Sequence, residues 1–429
     1  MNIFVANSRK IPINQTVAEY VERKGEGHPD TLSDFTADIF VNNYIKKCWE
    51  KFTILEEHKK FPNLYADKIN LAGAISNAQF GSFEIIEPVE AFLIGKVTKS
   101  VGKEKIEIDK IFEDSVFQVL HSILKHEDVS SNVNFYIKNN NLGGADHQNG
   151  FYNPSSQEQL LSILEKESLA NDTTIVTGYA PLSDTETLAI YLERAVNSSR
   201  FKGEFPFIGT DVKVLIARFA NDYDITMCLP FHPELTHSVE FYYRSLSQVK
   251  EYLYNCIEEF MYKQHIKSSN INLSINTKDK GDRVYLAPWG TALSKGDCGV
   301  VGRGNKYNGV ISVSRPSSVE APAGKNPNHF AGKIYTAIAQ SISEIIYGKL
   351  NLENQTTIIS KNGGNLENPA KVFVETVEDI SLKQESEIKE IINHELRRVE
   401  DYKLALISTC PIDRFRNGKL NLKNTVSLI

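Results

Sequence analysis

The sequence predicts a protein of mixed α and β structure. Its 429 residues are 41% hydrophobic and 24% charged, an ordinary globular composition that is long enough for two or three packed units. Some segments repeat apolar residues at helical spacing, and others are β-branched or alternate between apolar and polar residues. Because the two kinds of segment alternate along the chain without a continuous βαβ pattern, we expect an α+β fold.

Five segments carry apolar residues three to five positions apart, close to the period of an amphipathic helix. The first follows Pro29, a residue favoured in the first helical turn, and the fourth ends at Gly348, a residue typical of helix C-termini. The predicted helices contain Leu32, Phe35, Ile39 and Tyr44; Leu188, Tyr191 and Ala195; Val249, Leu253, Cys256 and Phe260; Ile334, Ile338, Ile342 and Ile345; and Ile388, Ile391, Leu396 and Val399.

Strands are predicted where β-branched residues cluster or apolar and polar residues alternate. These segments are 16–22, 91–98, 212–218, 224–229, 271–276, 310–314 and 371–375. The stretch 139–150 is rich in glycine and asparagine and is predicted as a loop.

The charge balance argues against several classes of protein. Forty-eight basic and 54 acidic residues give a formal charge of −6, without the basic excess of a non-specific nucleic-acid binder. No apolar run reaches the roughly 18 residues of a membrane span, and the N-terminal segment is too polar for a signal-peptide core. Five widely spaced cysteines without a CxxC argue against disulfides or a thiolate metal site. We therefore expect a cytoplasmic protein that binds neither nucleic acid nor membranes.

The motif GEGHPD at 25–30 places two glycines, His28 and Asp30 directly before a predicted helix. Glycines let backbone N–H groups approach an anion, a helix N-terminus favours negative charge, and a carboxylate can hold Mg²⁺ against phosphate oxygens. The motif thus predicts a phosphate and magnesium site. Taken alone, it is equally well explained by an ordinary helix cap with Pro29 in the first turn.

A second motif, the segment 295–333, interleaves basic residues with glycines and can wrap a polyphosphate. Its cations include Arg303, Lys306, Arg315, Lys325 and Lys333. A solvated basic loop would explain the charges but not the glycines beside them, since glycine weakens a chain where no close approach requires it. Neither a G-x-G-x-x-G between a strand and a helix nor a P-loop motif occurs, which argues against Rossmann and Walker-type nucleotide sites.

A third motif is Asp211-Val212-Lys213 in a predicted strand. Side chains two positions apart in a strand point the same way, so an acid and a base would face one site. The alternative is an exposed strand face with an ion pair of little energetic value.

Together these motifs resemble the S-adenosylmethionine synthetase (methionine adenosyltransferase) family, and more closely its archaeal-type branch. The blocks that carry the resemblance are VERKGEGHPD at 21–30, LANDTTIVTGYAPLSDTE at 169–186 and GVVGRGNKYNGVISVSRPSSVEAPAGKNP at 299–327. Three long blocks in the family's order are specific, and the resemblance runs over most of the chain.

The resemblance implies roles for the residues of the first and third motifs. His28 matches a histidine that contacts the phosphate chain and assists departure of the leaving group. Asp30 matches a magnesium ligand. Asp211 matches an aspartate beside the adenosine, and Lys213 matches a lysine at the phosphates.

The glycine-rich segment carries further matching positions. Asp297 matches an aspartate that holds the amino group of methionine, Arg303 an arginine at the polyphosphate, and Lys325 a second phosphate-binding lysine. His329 is a further candidate for substrate binding. Cys298 stands where the branch usually has a second acid.

The family's activity is the formation of S-adenosylmethionine by attack of the methionine sulfur on C5′ of ATP, with hydrolysis of the expelled triphosphate to phosphate and diphosphate. The resemblance implies ATP and L-methionine as substrates, Mg²⁺ as the cofactor and K⁺ as a further candidate cation. It also implies a homodimer or a dimer of dimers.

The family's fold consists of three similar αβ domains around a pseudo-threefold axis, with sheets packed at the dimer interface and active sites between two subunits. On that basis we expect an N-terminal domain at 1–130 with GEGHPD, a middle domain at 131–265 with the Asp-x-Lys motif, and a C-terminal domain at 266–429 with the glycine-rich basic segment. The boundaries are nominal, because the family's domains interleave along the chain.

Two other functions remain open. A phosphotransferase could direct the same cations at a γ-phosphate and would release ADP. A regulatory or structural relative could keep the nucleotide site without turnover, as Cys298 would suggest, although retention of the cationic residues argues against it.

Overall fold

The structure is a computed structural model that describes residues 2–141, 150–165, 169–418, 420 and 422. Most of the predicted loop at 139–150, including Asp146 and Gln148, lies outside the described residues. The α-helices are α1 (Pro29–Lys51), α2 (Thr53–Glu57), α3 (Ile108–Leu124), α4 (Gln157–Glu165), α5 (Asp184–Val196), α6 (Ser199–Glu204), α7 (Val239–Lys263), α8 (Ala331–Leu350), α9 (Leu382–Leu396), α10 (Val399–Ser408) and α11 (Pro411–Asn417).

The strands are short and come from every part of the chain. They are β1 (Asn2–Asn7), β2 (Ala18–Lys24), β3 (Leu64–Ala72), β4 (Ile75–Gln79), β5 (Ser82–Glu87), β6 (Val89–Val97), β7 (Ser100–Val101), β8 (Glu104–Lys105), β9 (Val133–Asn139), β10 (Ile175–Ala180), β11 (Lys213–Phe219), β12 (Asp222–Cys228), β13 (Asn270–Ile275), β14 (Gly299–Val300), β15 (Ile311–Ser312), β16 (Asn354–Ile359) and β17 (Lys371–Thr376).

Three larger sheets organise the described chain. Sheet I has the order β1-β17-β16-β10, sheet II the order β13-β12-β11-β2-β15, and sheet III the order β14-β3-β6-β9. Each sheet mixes parallel and antiparallel neighbours: β1 runs parallel to β17, β13 parallel to β12, and β9 parallel to β6. Strands distant in sequence therefore lie side by side in every sheet.

Helices cover one face of each sheet, and each pairing has its own hydrophobic core. Helices α1 and α3 pack on sheet III, α5 and α7 on sheet II, and α8 and α9 on sheet I, with α10 packed against α8. Helix α5 begins with a capping box in which Ser183 and Glu186 satisfy one another's backbone N–H groups. Burial of these three apolar faces is the main stabilising term of the fold.

The opposite faces of the sheets carry large apolar side chains that are exposed in the single chain. Phe4 in sheet I is 48% exposed, Phe219 in sheet II 63%, and Tyr136 in sheet III 45%. In sheets I and III these rings stack on an aromatic ring of the adjacent strand, Phe4 on Phe373 and Tyr136 on Phe92. Clusters of this kind usually mark an interaction surface.

The structure confirms the mixed α+β class, and four of the five predicted helices are present as single helices. The fifth is divided, since α9 ends at Leu396 and Val399 begins α10. The predicted strand at 310–314 is reduced to the two residues of β15. Several strands were not predicted, among them β1, β3 and β16, because their alternation is weak in the sequence. No helix of the described residues is long and apolar enough to cross a membrane. The domain boundaries at 130 and 265 remain a prediction.

Candidate active site

The GEGHPD motif begins α1 and lies against the Asp-x-Lys segment. His28 is the N-cap of α1, and its Nδ1 accepts a hydrogen bond of 3.2 Å from the backbone N–H of Asp30. Gly25 and Gly27 donate backbone hydrogen bonds to the carbonyls of Val212 (2.6 Å) and Thr210 (3.2 Å). The first and third motifs thus form one site.

The glycines of this motif are required by that contact. A Cβ on Gly27 would lie 2.3 Å from the hydroxyl oxygen of Thr210, and one on Gly25 would lie 2.7 Å from the carbonyl oxygen of Val212. Either atom would force the two segments apart. From the sequence, the backbone N–H groups of these glycines were expected to bind an anion. In the structure they instead bind backbone carbonyls, and the glycines allow two segments to pack closely.

Asp211 and Lys213 have different environments although they are two residues apart. The prediction that both side chains share a strand face is wrong, since β11 begins at Lys213 and Asp211 lies before it. Asp211 is buried and accepts a hydrogen bond of 2.8 Å from the backbone N–H of Ala292. Lys213 is partly exposed and forms an ion pair with Glu22 at 2.9 Å. The acid is therefore fixed, while the base can exchange its partner for a ligand.

Burial controls the protonation of two groups in this site. It raises the pKa of Asp211 to about 7, with further contributions from the charges of Asp297 and Asp30. It lowers the pKa of His28 to about 4, helped by the positive charge of Lys24. At neutral pH the His28 ring is therefore uncharged and can accept or donate a hydrogen bond.

Asp30 is buried and bound from two sides. One carboxylate oxygen is 2.9 Å from Nζ of Lys24, and the other accepts a 3.0 Å hydrogen bond from the backbone N–H of Val300. Lys24 also donates to the carbonyl of Arg303 at 2.6 Å. The glycine-rich segment is thereby attached to the beginning of α1.

The attachment continues along α1 through acids spaced four residues apart. Asp34 accepts a 2.7 Å hydrogen bond from the N–H of Gly302, and Asp38 accepts one of 2.9 Å from the N–H of Gly324. Residues four apart lie on one face of a helix, so Asp30, Asp34 and Asp38 form a row. We call these three side chains the acid row.

The acid row is the part of the site that sequence analysis missed. The spacing Asp30, Asp34, Asp38 is visible in the sequence, but acids on a helix face usually point to solvent. Here the glycine-rich segment covers them. A Cβ on Gly304 would lie 2.1 Å from a carboxylate oxygen of Asp34, so glycine allows the Asp34 side chain to keep this position.

Arg303 and Asp297 lie beside this contact with exposed side chains. The N–H of Arg303 donates to the carbonyl of Val300 at 3.2 Å, closing a tight turn. Asp297 accepts a 2.9 Å hydrogen bond from the N–H of Cys298 and acts electrostatically on His28. Both side chains are therefore available to a ligand at the His28 site.

Lys325 and His329 are held by other neighbours. Lys325 is buried, pairs with Glu320 and lies 4.1 Å from the centroid of the Phe330 ring. The His329 ring is 6.5 Å from that of Tyr65, and burial lowers its pKa to about 4. The structure brings together six of the eight predicted site residues and places these two in a second group.

The donor set around Asp30 suits a cation that takes most of its ligands from a substrate. The described residues contain no group of three or more His, Cys, Asp or Glu side chains arranged to hold a metal ion. Mg²⁺ is commonly bound by one or two carboxylates together with phosphate oxygens. Asp30, with Glu22 close to the same Lys24, fits that pattern.

A cavity of about 530 Å³ lies on the other side of β2. Side chains alternate along a strand, and Arg23 faces this cavity while Lys24 faces Asp30. Arg315, Tyr307 and Arg414 also line it. Asp34, Asp38 and Gly302 line it as well, so the cavity adjoins the acid row, although His28, Asp211 and Lys213 are not among its lining residues.

Comparison with known proteins assigns the family. The family model described as S-adenosylmethionine synthetase (AdoMet synthetase) matches residues 1–409. An S-adenosylmethionine synthase of Pyrococcus furiosus is 30% identical over 88% of this chain and 89% of its own length. One of Archaeoglobus fulgidus is 32% identical over 88% and 90%. A probable S-adenosylmethionine synthase of Aquifex aeolicus is 31% identical over 93% and 96%.

Solved structures agree at the level of the fold. A structure described as an unusual S-adenosylmethionine synthetase from Campylobacter jejuni superposes with a TM-score of 0.60 over 96% of this chain and 99% of that one, at 14% identity. The mixed α and β architecture around the His28 site thus matches a fold that is already known. The chain belongs to the S-adenosylmethionine synthetase family. The prediction of a methionine adenosyltransferase related to archaeal enzymes is confirmed.

Proposed function

We propose that this protein forms S-adenosylmethionine by attack of the methionine sulfur on C5′ of ATP, expelling triphosphate that is then hydrolysed to phosphate and diphosphate. The observation that carries the proposal is the convergence of His28, Asp211 and Lys213, because Gly25 and Gly27 join the two segments that carry these residues. Neither chemical step requires a protein nucleophile.

The enzyme's task is to position two substrates in line and to stabilise charge on the departing triphosphate. His28, uncharged at neutral pH, can donate a hydrogen bond to the leaving oxygen. Lys213 and Arg303 are exposed enough to contact phosphate oxygens. Asp211 would bind the adenosine, and Asp297 would bind the methionine amino group.

Asp30 is proposed as the protein ligand of Mg²⁺. The ion would neutralise charge on the triphosphate when bound. Lys24 pairs with Asp30 in this structure and would have to move away from the carboxylate when Mg²⁺ binds. It would still be held by its hydrogen bond to the carbonyl of Arg303. K⁺ remains a further candidate cation.

We propose that the complete site forms between two subunits of a homodimer or a dimer of dimers. Lys325 and His329, assigned to substrate, lie in a separate group within one chain, and a partner could bring them to His28. Lys213, Leu215 and Phe219 share the outer face of β11, where Leu215 is 43% and Phe219 63% exposed. The site thus adjoins an apolar surface suited to a partner.

Each sheet with its covering helices is proposed as one of three similar domains around a pseudo-threefold axis. Three separate cores support this division. A cytoplasmic location remains part of the proposal.

The function is tested by incubating the protein with ATP, methionine, Mg²⁺ and K⁺ and measuring products by mass spectrometry. We expect S-adenosylmethionine, phosphate and diphosphate in equal amounts. ADP would indicate a phosphotransferase instead. Binding of ATP without turnover would indicate a regulatory protein.

A further inference from the structure

Asp34 is the middle carboxylate of the acid row and the one without a lysine partner among the described residues. Asp30 pairs with Lys24 at 2.9 Å, and Asp38 pairs with Lys333 at 2.7 Å. The close contacts of Asp34 are instead with the backbone of the glycine-rich segment.

Two contacts clamp that segment to Asp34. The N–H of Gly302 donates to one carboxylate oxygen at 2.7 Å. Gly304 packs so closely on the other that a Cβ there would lie 2.1 Å away. Arg303 is the residue between them, and its own N–H and C=O are bound by Val300 and Lys24. The backbone on both sides of Arg303 is therefore fixed.

We infer that Asp34 is a positioning residue that sets the location of the Arg303 guanidinium at the triphosphate. An exposed arginine has many rotamers, and the reach of its guanidinium depends on where its Cα is held. A shift of the turn by about 1 Å at the reacting groups can cost about 100-fold in rate. The inference rests on the proposed function through the phosphate role of Arg303.

Other charged groups around Asp34 do not replace this role. Asp30 and Asp38 repel its negative charge, and Arg414 attracts it from the side of α11. Together with burial these leave the pKa of Asp34 at about 7, so the carboxyl does not act as a fixed counter-charge for Arg303. What Asp34 supplies in either protonation state is an acceptor for Gly302 and a surface for Gly304.

The test is a double-mutant cycle of Asp34→Ala and Arg303→Ala, read by binding of inorganic triphosphate with Mg²⁺. We expect Asp34→Ala to weaken triphosphate binding at least about tenfold, and to add less than about twofold in the Arg303→Ala background, because a residue acting through another shows no independent effect. The KM for methionine should stay within about twofold in Asp34→Ala, since a misplaced Arg303 affects the phosphate end.

A conservative variant and a change on the other side of the contact separate positioning from folding. Asp34→Asn retains an oxygen acceptor for Gly302 and should recover most of the triphosphate affinity. Gly304→Ala leaves Asp34 intact but displaces the turn, and should weaken triphosphate binding as Asp34→Ala does. Gly348→Ala is the matched control, because a Cβ there meets nothing within 4 Å.

Additive effects in the cycle would overturn this inference alone. So would normal triphosphate binding by Gly304→Ala, or by an Asp34→Ala protein whose only defect is a lower unfolding temperature. If Arg303→Ala by itself bound triphosphate normally, the phosphate role of Arg303 would fail, and the inference would fail with it.

Discussion

Among the single residues of the site, Lys213 offers the most direct test of the proposed chemistry. Its Nζ is 2.9 Å from Glu22 and its side chain is 40% exposed, so the ion pair contributes little to stability. We predict that Lys213→Ala lowers the rate of S-adenosylmethionine formation by about 100-fold or more while the unfolding temperature stays unchanged. A turnover assay and a thermal melt measure the two quantities.

Lys389 provides the matched control for that experiment. It lies on α9, is 42% exposed and pairs with Glu385 at 2.6 Å. Because its ion pair resembles that of Lys213 but lies away from the His28 site, Lys389→Ala should retain normal turnover. Near-normal activity of Lys213→Ala would refute the assigned role.

Asp211 should make stability depend on pH. Burial raises its pKa to about 7 in the folded protein, whereas the unfolded chain has the ordinary value near 3.8. Between these values the folded state binds a proton that the unfolded state has lost, so this residue's contribution to stability falls as pH rises from about 4 to about 7 and is constant above. Relative to wild type, Asp211→Asn should therefore gain stability over that interval.

Denaturant unfolding of both proteins at several pH values measures this difference without substrates. A difference in unfolding free energy that does not change between pH 4 and 7 would contradict the assignment. A change in the opposite direction would mean that the carboxylate is stabilised in the folded protein.

At the scale of elements, helix α1 joins the site to the core of sheet III. Its apolar residues pack on the sheet, while the acid row faces the glycine-rich segment. One helix thus holds both the His28 end of the site and the turn that carries Arg303. Gly299 and Gly304 allow that close contact, because a Cβ at either position would meet residues of α1.

Asp38 on α1 and Lys333 on α8 form a buried ion pair that connects the two helices. Both side chains are nearly inaccessible, at 7% and 3% exposure, and their charged atoms are 2.7 Å apart. Asp38→Asn would leave the ammonium without its counter-charge and should lower the unfolding free energy by about 3–5 kcal/mol. Asp38→Asn combined with Lys333→Met should be less destabilised than the single variant, because it removes the unpaired charge.

Urea denaturation of the single and double variants measures both values. If the double variant is destabilised by the sum of the effects of Asp38→Asn alone and Lys333→Met alone, the two side chains do not interact in the folded protein.

At the scale of the whole molecule, the exposed apolar residues on the outer faces of the three sheets are the proposed interface between subunits. We predict that Phe219→Asp weakens self-association, because a charge at the proposed interface must be desolvated when two copies meet. Leu382→Asp is the control: Leu382 is 87% exposed but lies at the start of α9 rather than on a sheet. Analytical ultracentrifugation of both variants measures the effect.

The prediction fails if Phe219→Asp assembles like wild type. If the variant becomes monomeric and also loses turnover, that result would support a site completed by the partner. A monomer with full turnover would instead place the whole site within one chain.

The fold class and a set of candidate site residues could be predicted from the sequence alone. Helical periodicity predicted five helices because their apolar faces are regular, and GEGHPD with Asp-x-Lys identified the first group because each motif combines unusual residue types within a few positions. Weakly alternating strands such as β1 and β16 were missed, since they are defined by their neighbours in the sheet and those neighbours are far away in sequence.

Only the tertiary structure decided which residues meet. Asp211 is buried and Lys213 partly exposed although they are only two residues apart, because Asp211 precedes the strand that begins at Lys213. The hydrogen-bond donors to Asp30 and Asp34 in the acid row lie in a segment some 270 residues later, which packs across α1. Hydrogen bonds between such distant segments depend on how the sheets and helices pack, and no local pattern in the sequence encodes that packing.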